Sequence, residues 1–186
     1  MSDEYTVPET ETETEHGDWH AEDPGYTEPN VIEAHGSDGS VVYTVDNDHD
    51  GYADVVATDA DGDGNINQAY VDTDGDGKLD TLAVDRDDDG DFDAVYSDTD
   101  GDGDVDLAAF DTNGDGRFDA AILDTDDDGQ ADTVVKDRDG DGNVDFVAHD
   151  ADGDGDVDLI VTDSNHDGTL DTEKWVDSET NPYARA

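Results

Sequence analysis

The chain has 186 residues, of which 57 are acidic and 7 basic, giving a formal charge of −50 with only 32% apolar residues. That balance disfavours direct binding to nucleic acid or to an anionic membrane, and taken alone it predicts disorder rather than a large core. No cysteine is present, so disulfides are excluded.

The first segment, residues 1–36, carries Thr10-Glu11-Thr12-Glu13-Thr14-Glu15 and Pro8, Pro24 and Pro29 without apolar periodicity, and is expected to be a disordered acidic tail. Met1-Ser2-Asp3-Glu4 opens it without the apolar stretch of a signal peptide or membrane span. Tyr5 and Glu9 match a loose Y-x-x-x-[DE] export pattern that is too short to set apart from chance. His16 and His20, with His35 nearby, have transition-metal chemistry available, but in so polar a tail solvated histidines are the expected reading and they receive no role. Residues 37–45 hold a degenerate turn, Ser37-Asp38-Gly39, and a strand, Val41 to Val45, expected to cap the repeats that begin at Asp46.

From Asp46 to Trp175 a 13-residue unit recurs ten times without insertion, reading D-x-[DN]-x-D-G-x-Φ-[DN] and then four mostly apolar residues. Position one is aspartate throughout: Asp46, Asp59, Asp72, Asp85, Asp98, Asp111, Asp124, Asp137, Asp150 and Asp163. Position three is Asp48, Asp61, Asp74, Asp87, Asp100, Asn113, Asp126, Asp139, Asp152 and Asn165; position five is Asp50, Asp63, Asp76, Asp89, Asp102, Asp115, Asp128, Asp141, Asp154 and Asp167. Position nine is Asp54, Asn67, Asp80, Asp93, Asp106, Asp119, Asp132, Asp145, Asp158 and Asp171. Hard cations such as calcium take six to eight oxygens at about 2.3–2.6 Å, and alternate carboxylates before an obligatory glycine turn are how a short loop supplies them. The glycine is present at position six of every copy, and position seven varies freely, as expected where only its carbonyl serves as ligand. The candidate metal ligands are therefore all forty of these side chains, and the implied cofactor is calcium, up to about ten ions.

An EF-hand would also need a bidentate glutamate at position twelve and flanking helices. Here position twelve runs from Ala57 to Lys174, and only four residues separate consecutive loops. Further ligands are expected from water or from a neighbouring copy, with the first aspartate of the next unit as the obvious donor, which would couple the sites in series. The array resembles the thrombospondin type 3 calcium-binding repeats over 130 of 186 residues. That resemblance implies ligand roles at Asp46, Asp48, Asp50 and Asp54 and their equivalents. This chain departs from the animal members in lacking their cysteines and in having more apolar tails.

The tails, such as Thr81-Leu82-Ala83-Val84 and Leu159-Ile160-Val161, read as short strands, and position eight is apolar in every copy, predicting a thin core. The expected fold class is all-β: a calcium-stabilised solenoid or roll with two copies per coil, about 24 Å long, or alternatively an up-and-down antiparallel meander whose loops are hairpins. Both place odd and even loops on opposite edges. Residues 176–186 are expected to be a disordered C-terminal tail.

Charge links metal to folding. The array holds 43 acids and six bases, and ten calcium ions would reduce its net charge from −37 to −17. The expected function is a non-catalytic calcium-binding module that folds on calcium and serves as an extracellular or cell-surface structural or adhesion element, exported by a leaderless route. Its expected partners are calcium ions and a cell-surface or matrix protein, with no nucleic acid and no membrane insertion. The alternative is an intracellular high-affinity calcium buffer or sensor, with a cytoplasmic residence; a third reading is a polyanionic decoy for basic proteins. An enzyme is not expected, because the aspartates are chemically alike and committed to metal.

Overall fold

The computed structural model describes residues 30–177 and Thr180. Alternating short apolar tails and glycine-centred loops give twelve strands: β1 (Asn30–His35), β2 (Val41–Asp46), β3 (Val55–Asp59), β4 (Gln68–Val71), β5 (Thr81–Val84), β6 (Ala94–Ser97), β7 (Leu107–Phe110), β8 (Ala120–Leu123), β9 (Thr133–Lys136), β10 (Phe146–His149), β11 (Leu159–Thr162) and β12 (Thr172–Trp175). They form one antiparallel sheet in sequence order, β1 to β12. Of the two arrangements the periodicity allows, the chain takes the up-and-down meander, and the stack extends about 53 Å at the usual strand spacing instead of the 24 Å of a coiled block.

The register explains why the repeat must not drift. Gln68 faces Val84, Ala69 faces Ala83, Tyr70 faces Leu82 and Val71 faces Thr81, so position ten meets thirteen and eleven meets twelve at each pairing. The backbone ladder runs on into the loops. Asp80 N–H donates to Val71 O at 2.9 Å to close its hairpin, and Asp98 N–H donates to Asp80 O at 3.0 Å across to the next loop on that edge. One inserted residue would turn each following strand's side chains to the opposite face.

The two faces differ. One carries a row of small residues, Ala57, Ala69, Ala83, Val95, Ala109, Ala121 and Val135; the other carries Val56, Tyr70, Leu82, Tyr96, Ala108, Ile122 and Val134. The best-packed apolar cluster lies on the first face: Ala57, Ala69 and Ala83, flanked by Tyr43, Val55, Ile66 and Val95. Tyr96 meets Phe110 edge-on at 5.9 Å on the second.

The position-eight residues contribute less core than the sequence predicts. Ile66 packs on the alanine cluster, but Val105 is 53% exposed, and Leu79, Phe92, Phe118, Val144, Val157 and Leu170 are exposed as well. A four-residue strand leaves too little sheet for each loop side chain to lie on.

Structure also begins earlier than expected. Asn30 to His35, placed by the sequence in the disordered tail, forms β1, because Val31 and Ala34 pair with Val45 and Val42 of β2. The strand is exposed throughout and exists through its pairing rather than through burial. The turn at residues 37–39 and the strand from Val41 are where the sequence put them. At the other end Val176 N–H donates to Asp158 O at 2.7 Å, and Thr180 Oγ1 donates to Asp158 Oδ1 at 2.6 Å, so at least these residues of the expected C-terminal tail are tied to the array. The expectations for residues 1–29, including Tyr5, His16 and His20, lie outside the described residues.

Candidate metal sites

Each array loop winds its backbone onto its own carboxylates, and Asp72 to Asp80 shows how. Asp72 accepts from Gly75 N–H at 2.7 Å through Oδ1 and from Gly77 N–H at 2.8 Å through Oδ2. Asp74 accepts from Asp76 N–H at 3.0 Å, and Asp76 from Lys78 N–H at 2.8 Å. Asp80 closes the loop by accepting from Thr73 N–H at 3.0 Å and from the Thr73 and Thr81 hydroxyls at 2.7 and 2.8 Å. Most equivalents of Asp72 repeat the double grip, as in Gly101 and Gly103 to Asp98 and in Gly153 and Gly155 to Asp150, whereas Asp46 accepts from His49 N–H. The turn at position six is left-handed in all ten copies, for example φ 104° at Gly103.

Within these loops the carboxylates also lie close to one another. In Asp46, Asp48 and Asp50, in Asp59, Asp61 and Asp63, in Asp72, Asp74 and Asp80, and in Asp85, Asp87 and Asp93, ligand oxygens lie within 4.8 Å of one another. That separation is about twice the distance from a hard cation to its ligand oxygen, so these groups could hold a metal ion. The third loop leaves Asp76 outside its group, where Lys78 Nζ lies 3.1 Å from it.

Among the described residues the largest fully buried side chains are carboxylates. Asp158 is 1% and Asp59 2% exposed, and Asp85, Asp106, Asp124, Asp145 and Asp163 are also buried. Among the described residues only Asp145 of this set has a lysine or arginine close by, Arg138 Nε at 3.9 Å. Loop N–H and hydroxyl groups supply their hydrogen bonds, as Gly62 and Gly64 do for Asp59, but those donors carry no full positive charge to balance the carboxylates.

Local fields divide the aspartates into two sets. At position one, burial works against the charge of Asp59, Asp111 and Asp163, but loop N–H groups outweigh it and hold their carboxyls below the usual range; for Asp137 the Gly142 N–H dominates. At position three, Asp87 is pushed up chiefly by the Asp89 charge, and Asp126 and Asp152 chiefly by burial and then by neighbouring aspartates. One set of carboxylates is anchored as anions, and the other is crowded by neighbouring negative charge that a cation would relieve.

The neighbour that reaches into a loop is not the next copy. In a meander that copy sits on the opposite edge, a strand length of about 13 Å away, so the first aspartate of the next unit cannot supply a ligand. The loop two units on is adjacent instead. Its position-six glycine lies under the position-seven side chain of the earlier loop: a Cβ on Gly77 would be 3.2 Å from the Tyr52 ring, and one on Gly116 would be 2.8 Å from Asp91 Oδ2. Position seven thus has a packing role beyond the carbonyl that its free variation in sequence suggests.

Position four carries a signal that the ligand pattern passes over. Most copies have glycine there, but His49, Asp88, Asp127 and His166, spaced 39 residues apart, are left-handed non-glycine residues with φ of 66°, 65°, 56° and 57°. Three of them face the loop two units back. Asp88 Oδ1 accepts from Asn67 Nδ2 at 2.8 Å and brings a negative charge to the loop whose ninth residue is neutral. Burial raises the Asp127 carboxyl, and the charges of Asp100, Asp106 and Asp102 raise it further. His166 Nδ1 lies 2.7 Å from Asp139 Oδ2. The regular spacing was the signal available in the sequence.

No family model matches the chain, and neither the curated proteins nor the solved structures provide a match.

Proposed function

We propose that the array is a non-catalytic, calcium-folded structural module that works outside the cell or at its surface as a stiff spacer or adhesion scaffold. The observation that carries this reading is the set of seven buried aspartates, six of them without a lysine or arginine within ion-pair distance among the described residues. Oxygen-only donors around a glycine turn suit a large hard cation, and magnesium, which holds its waters and demands a tight octahedron, suits them less well. The likeness of the loops to thrombospondin type 3 repeats supports the same reading. Weak sites fill at millimolar extracellular calcium, and the charge they neutralise is what keeps the chain expanded in a calcium-poor compartment.

Native mass spectrometry of the full chain across calcium concentrations tests this. Stepwise loading toward ten ions, with magnesium failing to substitute, is expected; loading of none or one would overturn it. Saturation below micromolar calcium would instead assign the protein to intracellular buffering or sensing.

A further inference from the structure

We infer that the loop from Asp137 to Asp145 is a mixed-donor site that takes a borderline transition-metal dication, of the zinc, cobalt and nickel class, through Asp139, Asp145 and the imidazole of His166. It rests on the metal-loop reading of this array but departs from calcium at this one loop.

The ligand atoms of the three residues lie within 4.8 Å of one another. His166 comes from the loop two units on, and its Nδ1 faces Asp139 Oδ2 at 2.7 Å. Its backbone is fixed by an N–H bond to Asp163 Oδ1 at 2.7 Å. Asp139 Oδ1 is occupied by Asp141 N–H at 3.2 Å, which leaves Oδ2 toward the ring. Asp145 is the buried member, 7% exposed, and its Oδ2 accepts from Arg138 N–H at 3.0 Å. Its Oδ1 makes no hydrogen bond among the described residues and meets only Arg138 Nε, at 3.9 Å. The Arg138 guanidinium lies over the Phe146 ring, 3.8 Å from its centre, so a stacking contact also holds it.

A nitrogen donor decides the metal class. Imidazole binds zinc, cobalt and nickel well and calcium hardly at all, whereas carboxylates serve either. At the equivalent contacts of other loops the reaching residue is Asp88 or Asp127, which adds only oxygen. A histidine at this point therefore gives one loop of the array a different selectivity, and an ion bridging the two loops would pin them together.

The test uses the full chain in millimolar calcium with cobalt(II) as the probe, read by its visible absorption, and circular dichroism on every variant. His166→Asn removes the ring nitrogen with a residue that accepts left-handed backbone. His49→Asn is the control, because that histidine belongs to the first loop and has no array loop two units before it. The wild-type chain should bind one cobalt that calcium does not displace. His166→Asn should weaken that binding by at least about tenfold, and His49→Asn should leave it unchanged. Equal cobalt affinity in His166→Asn, or displacement of all cobalt by calcium, would overturn the site. Should His166→Asn fail to fold, selective paramagnetic broadening of the His166 ring signals in the wild-type chain supports the site, and broadening elsewhere alone refutes it. A chain whose dichroism ignores calcium would sink the calcium-folding proposal without touching the cobalt result.

Discussion

The hairpin of β1 and β2 turns through Gly36 to Ser40 around a single carboxylate: Gly36 N–H donates to Ser40 O at 2.7 Å, and Asp38 accepts from the Ser40 hydroxyl at 2.7 Å. Every later hairpin turns through nine residues that concentrate three to six carboxylates in one small space. The short turn can close in any solution, but a lone two-stranded hairpin is marginally stable, so β1 and β2 depend on β3 and the array behind it. On the proposed reading, metal dependence would be local in its chemistry and global in its effect. If the loops need cations to close, they decide whether the first hairpin persists.

The largest expected effect comes where the two kinds of hairpin touch. A Cβ at Gly62 would lie 2.2 Å from Gly39 O, and Gly62 is left-handed at φ 79°. Gly62→Ala should therefore lower stability by about 2–4 kcal/mol and detach the first hairpin, seen as a lower melting temperature and faster amide exchange in β1 and β2.

Gly103→Val is expected to lower stability by about 1–3 kcal/mol from the backbone alone, because φ is 104° and nothing lies within 4 Å of the added Cβ. It should also lose one bound ion, whereas Gly39→Val, left-handed at φ 99° in the short turn, should lose none. Ion counts by native mass spectrometry check both.

Asp102→Ala should remove one ion and weaken the loops beginning at Asp72 and Asp124, which share its edge, more than those beginning at Asp85 and Asp111 on the other. Site-resolved calcium titration by NMR reads the difference, and equal weakening on both edges would contradict same-edge coupling. Asp88→Gly, which restores the residue most copies carry, should lower affinity only in the loop beginning at Asp59, by about tenfold.

The smallest effect concerns pH. Asp59, Asp111, Asp137 and Asp163 are held below the unfolded value of about 3.9, so the stability they give is complete above that value and is lost as pH falls through their folded values. Asp87, Asp126 and Asp152 are raised, so without metal their charge opposes folding at neutral pH and the opposition fades as they protonate. Chelated protein should thus gain slightly in stability on mild acidification and lose it below about pH 4, while metal-loaded protein should only lose, because protons compete for its ligands. Melting curves against pH with and without chelator measure this.

The gathering of carboxylates around each glycine turn was legible as spacing, although in the third loop the group that forms, Asp72, Asp74 and Asp80, leaves Asp76 out. The choice of meander was not, since a strand that reverses and a strand that coils leave the same 13-residue period. The contact of Asp88 with Asn67 was readable in principle from the non-glycine residues at position four, but its meaning depends on knowing that loops two units apart are neighbours. β1 was hidden because Asn30 to His35 lacks a buried face of its own, so no periodicity marks it. Position eight misled for the opposite reason: Val105 and Phe118 are apolar, as core residues would be, yet lie exposed over a sheet too narrow to cover them.

The most direct measurement is a calcium titration of the full chain from chelator to millimolar, followed by circular dichroism and small-angle scattering. A cooperative gain of β signal with contraction to a rod about 50 Å long, complete between tens of micromolar and millimolar calcium, is the expected result. A sheet already formed in chelator and unchanged by calcium would contradict the proposal that cations hold this fold together.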